Sequence, residues 1–214
     1  MPISHRWRCL FVHVPKTGGT SVEAALGMHG RWQDENRDEL FGLIRSPDLL
    51  ERGFTSAFLQ HLTIQEMRGL LVQEEAASYF SFSFVRNPWD RMVSVYHRTD
   101  PHLREQARGL GIELTGIPFA EFLTRTSGIR HAHLMDQAEY VCDDSGHGLV
   151  DFVGRFETLA RDFEAVCDRL QIEAALPRMN ASTHGDYRGY YDDVSRRMVE
   201  SRFRRDVDTF GYAF

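Results

Sequence analysis

The chain has few cysteines and no long apolar run, and these shortages argue against several classes of protein. Its three cysteines are Cys9, Cys142 and Cys167, and no two of them form a CxxC pair. This spacing indicates neither a zinc ribbon nor a disulfide framework. No stretch approaches the ~20 apolar residues of a membrane span, and residues 1–8 lack the apolar core of an export signal. We therefore predict a cytoplasmic protein that does not bind membranes.

Positively charged residues are also fewer than negatively charged ones, with 25 lysines and arginines against 31 aspartates and glutamates. The formal net charge is −6 at pH 7, which argues against a general nucleic-acid binder, so that any affinity for anions must be local. Of the 25 basic residues, Lys16 is the only lysine. Because arginine is used everywhere else, this position is predicted to require a compact ammonium group and not a planar guanidinium.

What the chain does contain is a repeated pattern of strand, polar turn and helix. The first copy is an apolar run at 10–14, a glycine-rich turn and a helix from about residue 20. The second is the alternating run at 79–85, followed by Asn87 as N-cap and Pro88 as first helical residue. The pattern predicts an α/β fold in one domain over residues 1–214. Its mainly parallel central sheet is expected to have helices on both faces and a nucleotide across the carboxyl ends of the strands.

The first turn is predicted to bind an anion. Gly18 and Gly19 allow the backbone to curl, Thr20 and Ser21 are predicted to cap the helix, and Lys16 adds a mobile charge. The nucleotide triphosphatase signature places its lysine after the glycines, whereas here Lys16 precedes them. The loop is therefore P-loop-like but is not clearly built for Mg-ATP.

Four further segments are predicted from their patterns. Thr63 and Glu66 form a capping box for a helix that begins just after His61, and residues 99–116 are predicted to be a mobile loop or lid. Two short strands are predicted around a turn, and two long helices follow them; these segments are 138–142 and 149–153, then 158–170 and 192–210.

Two motifs together resemble a known family. Residues 11–21, FVHVPKTGGTS, are similar to the 5′-phosphosulfate loop of sulfotransferases that use 3′-phosphoadenosine 5′-phosphosulfate (PAPS). Within these enzymes the resemblance is to the bacterial sulfotransferase family 2 group, which is related to the carbohydrate O-sulfotransferases. Residues 84–91, FVRNPWDR, with Ser94 resemble the 3′-phosphate element of that family, and 153–157 and 210–212 are also similar.

The resemblance implies which residues hold the donor. The 5′ end would be held by Lys16, Thr17, Gly18, Gly19, Thr20 and Ser21. The 3′-phosphate would be held by Arg86 and Ser94. Two strand-turn-helix units, each with a cation, suit the two separated anionic ends of PAPS. In-line transfer needs no metal, and Lys16 with the loop amides would stabilise charge on the bridging oxygen.

His61 is the candidate general base. The family has a histidine just before the helix that precedes its 3′-phosphate strand, and an unperturbed imidazole titrates near neutrality. His131 and His133 compete for this role, although such a pair is also able to bind metal or to line a surface. His13, on the predicted strand, is expected to be a buried structural histidine.

Several roles stay open between structure and ligand binding. Arg86 is able to bridge carboxylates, Arg155 to pair with Glu157 or to contact ligand, and Trp89 to stack on adenine or to belong to the core. The cluster of Tyr187, Arg188, Tyr190 and Tyr191 is either a loop that closes over the nucleotide or an exposed turn.

The sequence thus predicts a PAPS-dependent O-sulfotransferase that releases adenosine 3′,5′-bisphosphate. Its acceptor would be a small molecule or glycan, with a sugar hydroxyl as the first choice, selected by residues 99–116 and 127–148. One alternative is a Mg-dependent nucleotide kinase or phosphatase, and another is a nucleotide-binding module without turnover. Oligomeric state does not follow from the sequence.

Overall fold

The computed structural model describes residues 3–28, 48–54, 56, 59–70, 78–177 and 185–214. The chain divides into two compact units, one formed by 1–85 with 137–180 and the other by 86–136 with 181–214. One domain over residues 1–214 therefore stays a prediction. Among the described residues, no helix is both long and apolar enough to cross a lipid bilayer.

The first unit contains a sheet whose strands lie in the order β1 (Ile3–Ser4), β2 (Cys9–Val12), β3 (Phe80–Val85) and β4 (Phe152–Arg155). β2 and β3 are parallel, as are β3 and β4, whereas β1 runs antiparallel to β2. The helices, in chain order, are α1 (Gly19–Ala25), α2 (Asp48–Glu51), α3 (Ile64–Leu70), α4 (Pro88–His97), α5 (Pro101–Gly109), α6 (Phe119–Arg125), α7 (Ala138–Val141), α8 (Leu159–Leu170), α9 (Asp193–Arg202) and α10 (Arg204–Phe210). The predicted α/β fold with a mainly parallel sheet is confirmed.

Aromatic side chains form the core on one face of this sheet. Phe11, Phe82 and Phe84 alternate toward that face, where they pack with residues of α1 and α8 such as Val22 and Phe163. The alternate residues on β2 and β3 are buried too; they are Leu10, Val12, Ser81 and Ser83. Burial on both faces explains why β2 is a continuous apolar run.

Gly154 on β4 leaves room for this core. A Cβ added there would lie 2.5 Å from Cε1 of Phe84 and 3.0 Å from Cβ of Asp162. Because Phe84 is fully buried, Gly154→Ala should lower the free energy of unfolding by about 1–3 kcal/mol in urea titrations. The matched control is Gly69→Ala on α3, where no atom of the described residues lies within 4 Å of the added Cβ; it should raise that free energy by up to about 1 kcal/mol. Equal effects of the two substitutions would contradict this account of Gly154.

In the first unit, the helices predicted from local sequence patterns are confirmed at α3 and α8, and the strand predicted at α7 is wrong. The Thr63 backbone N–H donates to Glu66 Oε2 over 2.8 Å and the Glu66 N–H to Thr63 Oγ1 over 3.2 Å, which is the predicted capping box. Residues 138–141 form α7 instead of the predicted strand. The prediction was wrong because so short an apolar run has no clear period that distinguishes a strand from a helix. The strand predicted at 149–153 begins at Phe152, as β4.

In the second unit, one segment that was predicted as a loop is largely helical, and one segment that was predicted as a single helix forms two helices. Residues 101–109 form α5, where the Asp100 side chain accepts hydrogen bonds from the N–H groups of His102 and Leu103 and Pro101 begins the helix. An Asp-Pro pair is a helix start, so the expectation of a mobile loop over 99–116 was wrong for this part. The helix predicted over 192–210 is broken at Phe203, whose ring is buried.

The aromatic cluster at 187–191 packs on α4. The Tyr191 hydroxyl donates to the carbonyl of Trp89 over 2.8 Å, and Asn87 Nδ2 donates to the Tyr187 hydroxyl over 3.4 Å. Trp89 is 2% exposed and its Nε1–H donates to the carbonyl of Arg196 over 3.0 Å. Trp89 therefore belongs to the core, as the more conservative of its two interpretations predicts.

Candidate active site

The turn between β2 and α1 has a fixed and unusual backbone. Lys16 adopts φ 72° and Gly18 φ 86°, both in the left-handed region. This region is uncommon for a residue with a side chain, and such residues cluster at functional sites. The turn is closed by Thr17, which is fully buried and donates from Oγ1 to the carbonyl of Val14 over 2.8 Å. The lone lysine is thus held in a conformation that sequence patterns did not predict.

Both glycines of the turn are required by packing. A Cβ on Gly18 would lie 2.7 Å from Cδ2 of Leu159, and one on Gly19 would lie 2.3 Å from Cδ2 and Nε2 of His13. Gly18 is also the N-cap of α1, and no side chain caps this helix. The expectation that Thr20 and Ser21 form the cap was therefore wrong, because both lie inside the first turn of α1.

His13 belongs to a buried polar network behind this turn. Its Nδ1–H donates to Oε1 of Glu23 over 2.6 Å. Gln60 Nε2 donates to both carboxylate oxygens of Glu23 over 2.9 Å. His13 is 5% exposed and Glu23 1%, so the predicted buried and satisfied histidine is confirmed.

His61 ends the 3-10 turn Leu59–His61, three residues before the first residue of α3, and is half-buried. Its Nδ1 lies 3.1 Å from the carbonyl oxygen of His13, and the two rings meet edge to face with centroids 5.0 Å apart. Since a carbonyl only accepts hydrogen bonds, Nδ1 must carry the proton, and the neutral ring has its lone pair on Nε2. This is the tautomer in which Nε2 is able to accept a proton.

Arg86 and Ser94 lie in the second unit; Arg86 is two residues before the start of α4, and Ser94 is in its second half. Both are buried, at 4% and 5% exposure, and Arg86 Nε donates to Asp90 Oδ2 over 2.8 Å. Asp90 and Ser94 are about one helical turn apart on α4, and Arg86 precedes the N-cap Asn87. The carboxylate bridge that was the alternative interpretation of Arg86 is present, and the binding of phosphate by Arg86 and Ser94 stays a prediction.

The competing histidines of the second unit have structural contacts. His131 caps the turn Ala132–Leu134, where its Nδ1 accepts from the His133 N–H over 3.1 Å, and burial lowers the pKa of His131 against the opposing effect of Asp100. Arg91 donates to the carbonyl of His133 over 3.2 Å. Within the described residues, no three side chains of the metal-binding types converge, so this pair has no third ligand there.

The structure brings the loop, His13 and His61 together in the first unit, and Arg86 with Ser94 in the second. Sequence reasoning missed Glu23 and Gln60. Glu23 lies between the apolar Val22 and Ala24 on a short helix, and Gln60 lies 37 positions further along the chain, so no local pattern marks either residue. Arg155 is exposed at the end of β4, and its role as a ligand contact stays a prediction.

Comparison with known proteins identifies the class to which this fold and site belong. A profile of the sulfotransferase family matches residues 2–213, and the chain belongs to that family. The prediction made from residues 11–21 and 84–94 is thereby confirmed. The matched range includes both segments.

One individual relative is carbohydrate sulfotransferase 14 of Mus musculus, which is 24% identical to the chain over 186 residues. The aligned region is 78% of this chain but 45% of the relative, so the chain spans less than half the length of that protein. No solved structure matches the chain.

Proposed function

We propose that the protein transfers a sulfuryl group from PAPS to a hydroxyl acceptor by direct in-line displacement. The observation that carries this proposal is the turn at 13–21, where the only lysine has a left-handed backbone and His61 is bound to the first carbonyl of the turn. A cation for the leaving group and a base for the acceptor are what the reaction requires. Family membership supports the same chemistry.

The described residues fit the two ends of this donor. In the first unit, the packing at Gly18 and Gly19 excludes side chains from these positions, and a turn that leads into a helix N-terminus offers backbone N–H groups of the kind that bind phosphate. In the second, buried Arg86 is oriented by Asp90, and guanidinium groups bind phosphate through several donors. We assign Lys16, Thr17, Gly18, Gly19, Thr20 and Ser21 to the 5′-phosphosulfate and Arg86 with Ser94 to the 3′-phosphate.

PAPS supplies the activated sulfuryl group, and the chain supplies a base for the acceptor proton and a cation for the leaving group. His61 Nε2 accepts the proton of the acceptor hydroxyl while the acceptor oxygen bonds to sulfur and the bond from sulfur to the phosphate oxygen breaks. Lys16 balances the negative charge that develops on that phosphate oxygen. The products are a sulfate ester and adenosine 3′,5′-bisphosphate.

The acceptor is proposed to be a carbohydrate hydroxyl. Its support is the name of the mouse relative, and the catalytic requirement is only an alcohol within reach of His61. A screen of hexoses, N-acetylhexosamines, soluble polysaccharides and small alcohols with sulfur-labelled PAPS would identify it. Cytoplasmic location and bacterial origin stay predictions from the sequence.

Adenosine 3′,5′-bisphosphate should stabilise the protein in the presence of EDTA. A ligand at one hundred times its Kd stabilises by about 2.7 kcal/mol, which corresponds to roughly 5–10 °C in Tm for a chain of this size. Thermal unfolding with the bisphosphate and with adenosine 5′-monophosphate measures the share due to the 3′-phosphate. Ser94→Ala should weaken binding of the bisphosphate about 10–100-fold and leave the monophosphate unchanged.

The matched control is Ser201→Ala, at an exposed position on α9, which should bind both nucleotides normally. No shift with millimolar bisphosphate would contradict PAPS dependence. Stabilisation by ATP that EDTA abolishes would instead support the Mg-dependent kinase or phosphatase. Binding of the bisphosphate without transfer to any acceptor in the screen would favour the non-catalytic module.

A further inference from the structure

The buried Glu23 carboxylate needs a reason beyond stability. Burial alone would raise the pKa of Glu23, but attraction to His13 and the hydrogen bonds from His13 and Gln60 hold it below its usual value. Exchange of buried charged groups for packed apolar side chains is often neutral or stabilising, so packing alone does not explain a carboxylate here. A carboxylate at this position orients the side chains of His13 and Gln60, because both donate hydrogen bonds to it.

Both of these donors lead to the candidate active site. Gln60 directly precedes His61 in the turn Leu59–His61, so a fixed Gln60 amide holds that turn in place. His13 supplies the carbonyl that accepts from His61 Nδ1–H, and its ring fills the space beside Gly19. One carboxylate on α1 therefore connects the base, the end of β2 and the anion loop within one unit.

We propose that Glu23 is a positioning residue for sulfuryl transfer, which acts through His13 and Gln60 to keep His61 in its Nδ1–H tautomer, in which the lone pair is on Nε2. This inference rests on the proposed function, because it needs His61 as the base. Groups that fix the ring of a reacting histidine control both its tautomer and its orientation.

Glu23→Gln tests this role with almost no change in shape. A glutamine at 23 still accepts from His13 through its carbonyl oxygen, but its NH₂ then faces the NH₂ of Gln60, and two donors repel. Gln60 must either turn its amide over or rotate away, and both changes replace the contacts that hold the turn with His61. We expect kcat to fall about 10–100-fold, while the Kd for adenosine 3′,5′-bisphosphate stays within about threefold.

A spectroscopic measurement reports on the ring without any turnover. Long-range ¹H–¹⁵N spectra distinguish a protonated imidazole nitrogen from one with a lone pair. In the wild-type protein, His61 should show a protonated Nδ1 and an unprotonated Nε2 at a pH where the ring is neutral. In Glu23→Gln, the two tautomers should both be populated.

A reciprocal exchange should restore the network. Glu23→Gln combined with Gln60→Glu returns one carboxylate and one amide to the pair and keeps the total charge. This double variant should recover a large part of kcat and the single tautomer. Gln60→Met keeps the hydrogen bond between His13 and Glu23 and removes the link to His61, so it should lower kcat even if Glu23→Gln fails to fold.

The matched control is Asp151→Asn, which removes a carboxylate of the same unit that accepts from the N–H and hydroxyl of Ser81 at 2.7 Å. It should leave kcat and the His61 signals unchanged. A wild-type kcat in both Glu23→Gln and Gln60→Met, or His61 signals that stay unaltered in them, would overturn the positioning role. A wild-type protein that transfers sulfate to no acceptor would instead contradict the proposed function, and the spectra would still test the network.

Discussion

Replacement of His61 by alanine should lower kcat by about 10²–10⁴-fold, the range that a positioned general base contributes. The residue is half-buried and its Nδ1–H is committed to the carbonyl of His13, so Nε2 is the atom that would accept the proton. Transfer from sulfur-labelled PAPS to the most active acceptor of the screen measures the loss. Binding of adenosine 3′,5′-bisphosphate should change little, because the base contacts the acceptor and not the nucleotide.

The controls for this substitution are three other histidines. His147→Ala, on an exposed turn of the first unit, should keep wild-type kcat. His131→Ala removes a cap of the turn Ala132–Leu134 and should lower stability by about 0.5–2 kcal/mol with little change in kcat. A near-normal kcat in His61→Ala together with a large loss in His131→Ala or His133→Ala would transfer the role of base to the second unit.

The part of the site that could be predicted consists of residues whose type is required by local geometry. Gly18 and Gly19 are marked by the curl of a turn, and Asn87 with Pro88 by the start of a helix; the structure places all four as expected. Such signals depend on a few neighbouring residues. They located the turn before α1 and the start of α4 without any knowledge of the tertiary contacts.

The part that was missed depends on contacts between distant segments. Glu23 and Gln60 are 37 positions apart, and nothing in either local sequence announces the pair. The helix at 138–141 was predicted as a strand because four residues are too few to show a period, and its buried side chains fit either structure. Tertiary packing decides such segments, so a single sequence does not fix them.

The backbone at Lys16 is a case in which structure adds to a sequence observation. That this is the only lysine indicated a special requirement for its ammonium group, and the left-handed φ of 72° shows that the chain also accepts an unfavourable conformation there. For a residue with a side chain this conformation costs about 1–2 kcal/mol. A glycine would avoid the cost, so the presence of lysine argues for a function of the side chain.

Lys16→Ala should lower kcat by about 10²–10³-fold, as loss of a group that stabilises the leaving oxygen does in other transfer enzymes. Lys16→Gly should lose as much activity as Lys16→Ala. Its free energy of unfolding should be about 1 kcal/mol higher than that of Lys16→Ala, because glycine adopts the left-handed backbone without strain. Lys16→Arg keeps the charge but offers a planar fork, so an intermediate kcat is expected. Urea titrations on the three variants measure the effect of backbone strain on the free energy of unfolding, and labelled-PAPS assays measure the effect of the side chain on kcat. Near-normal turnover in Lys16→Ala would overturn the assignment of this loop to the phosphosulfate.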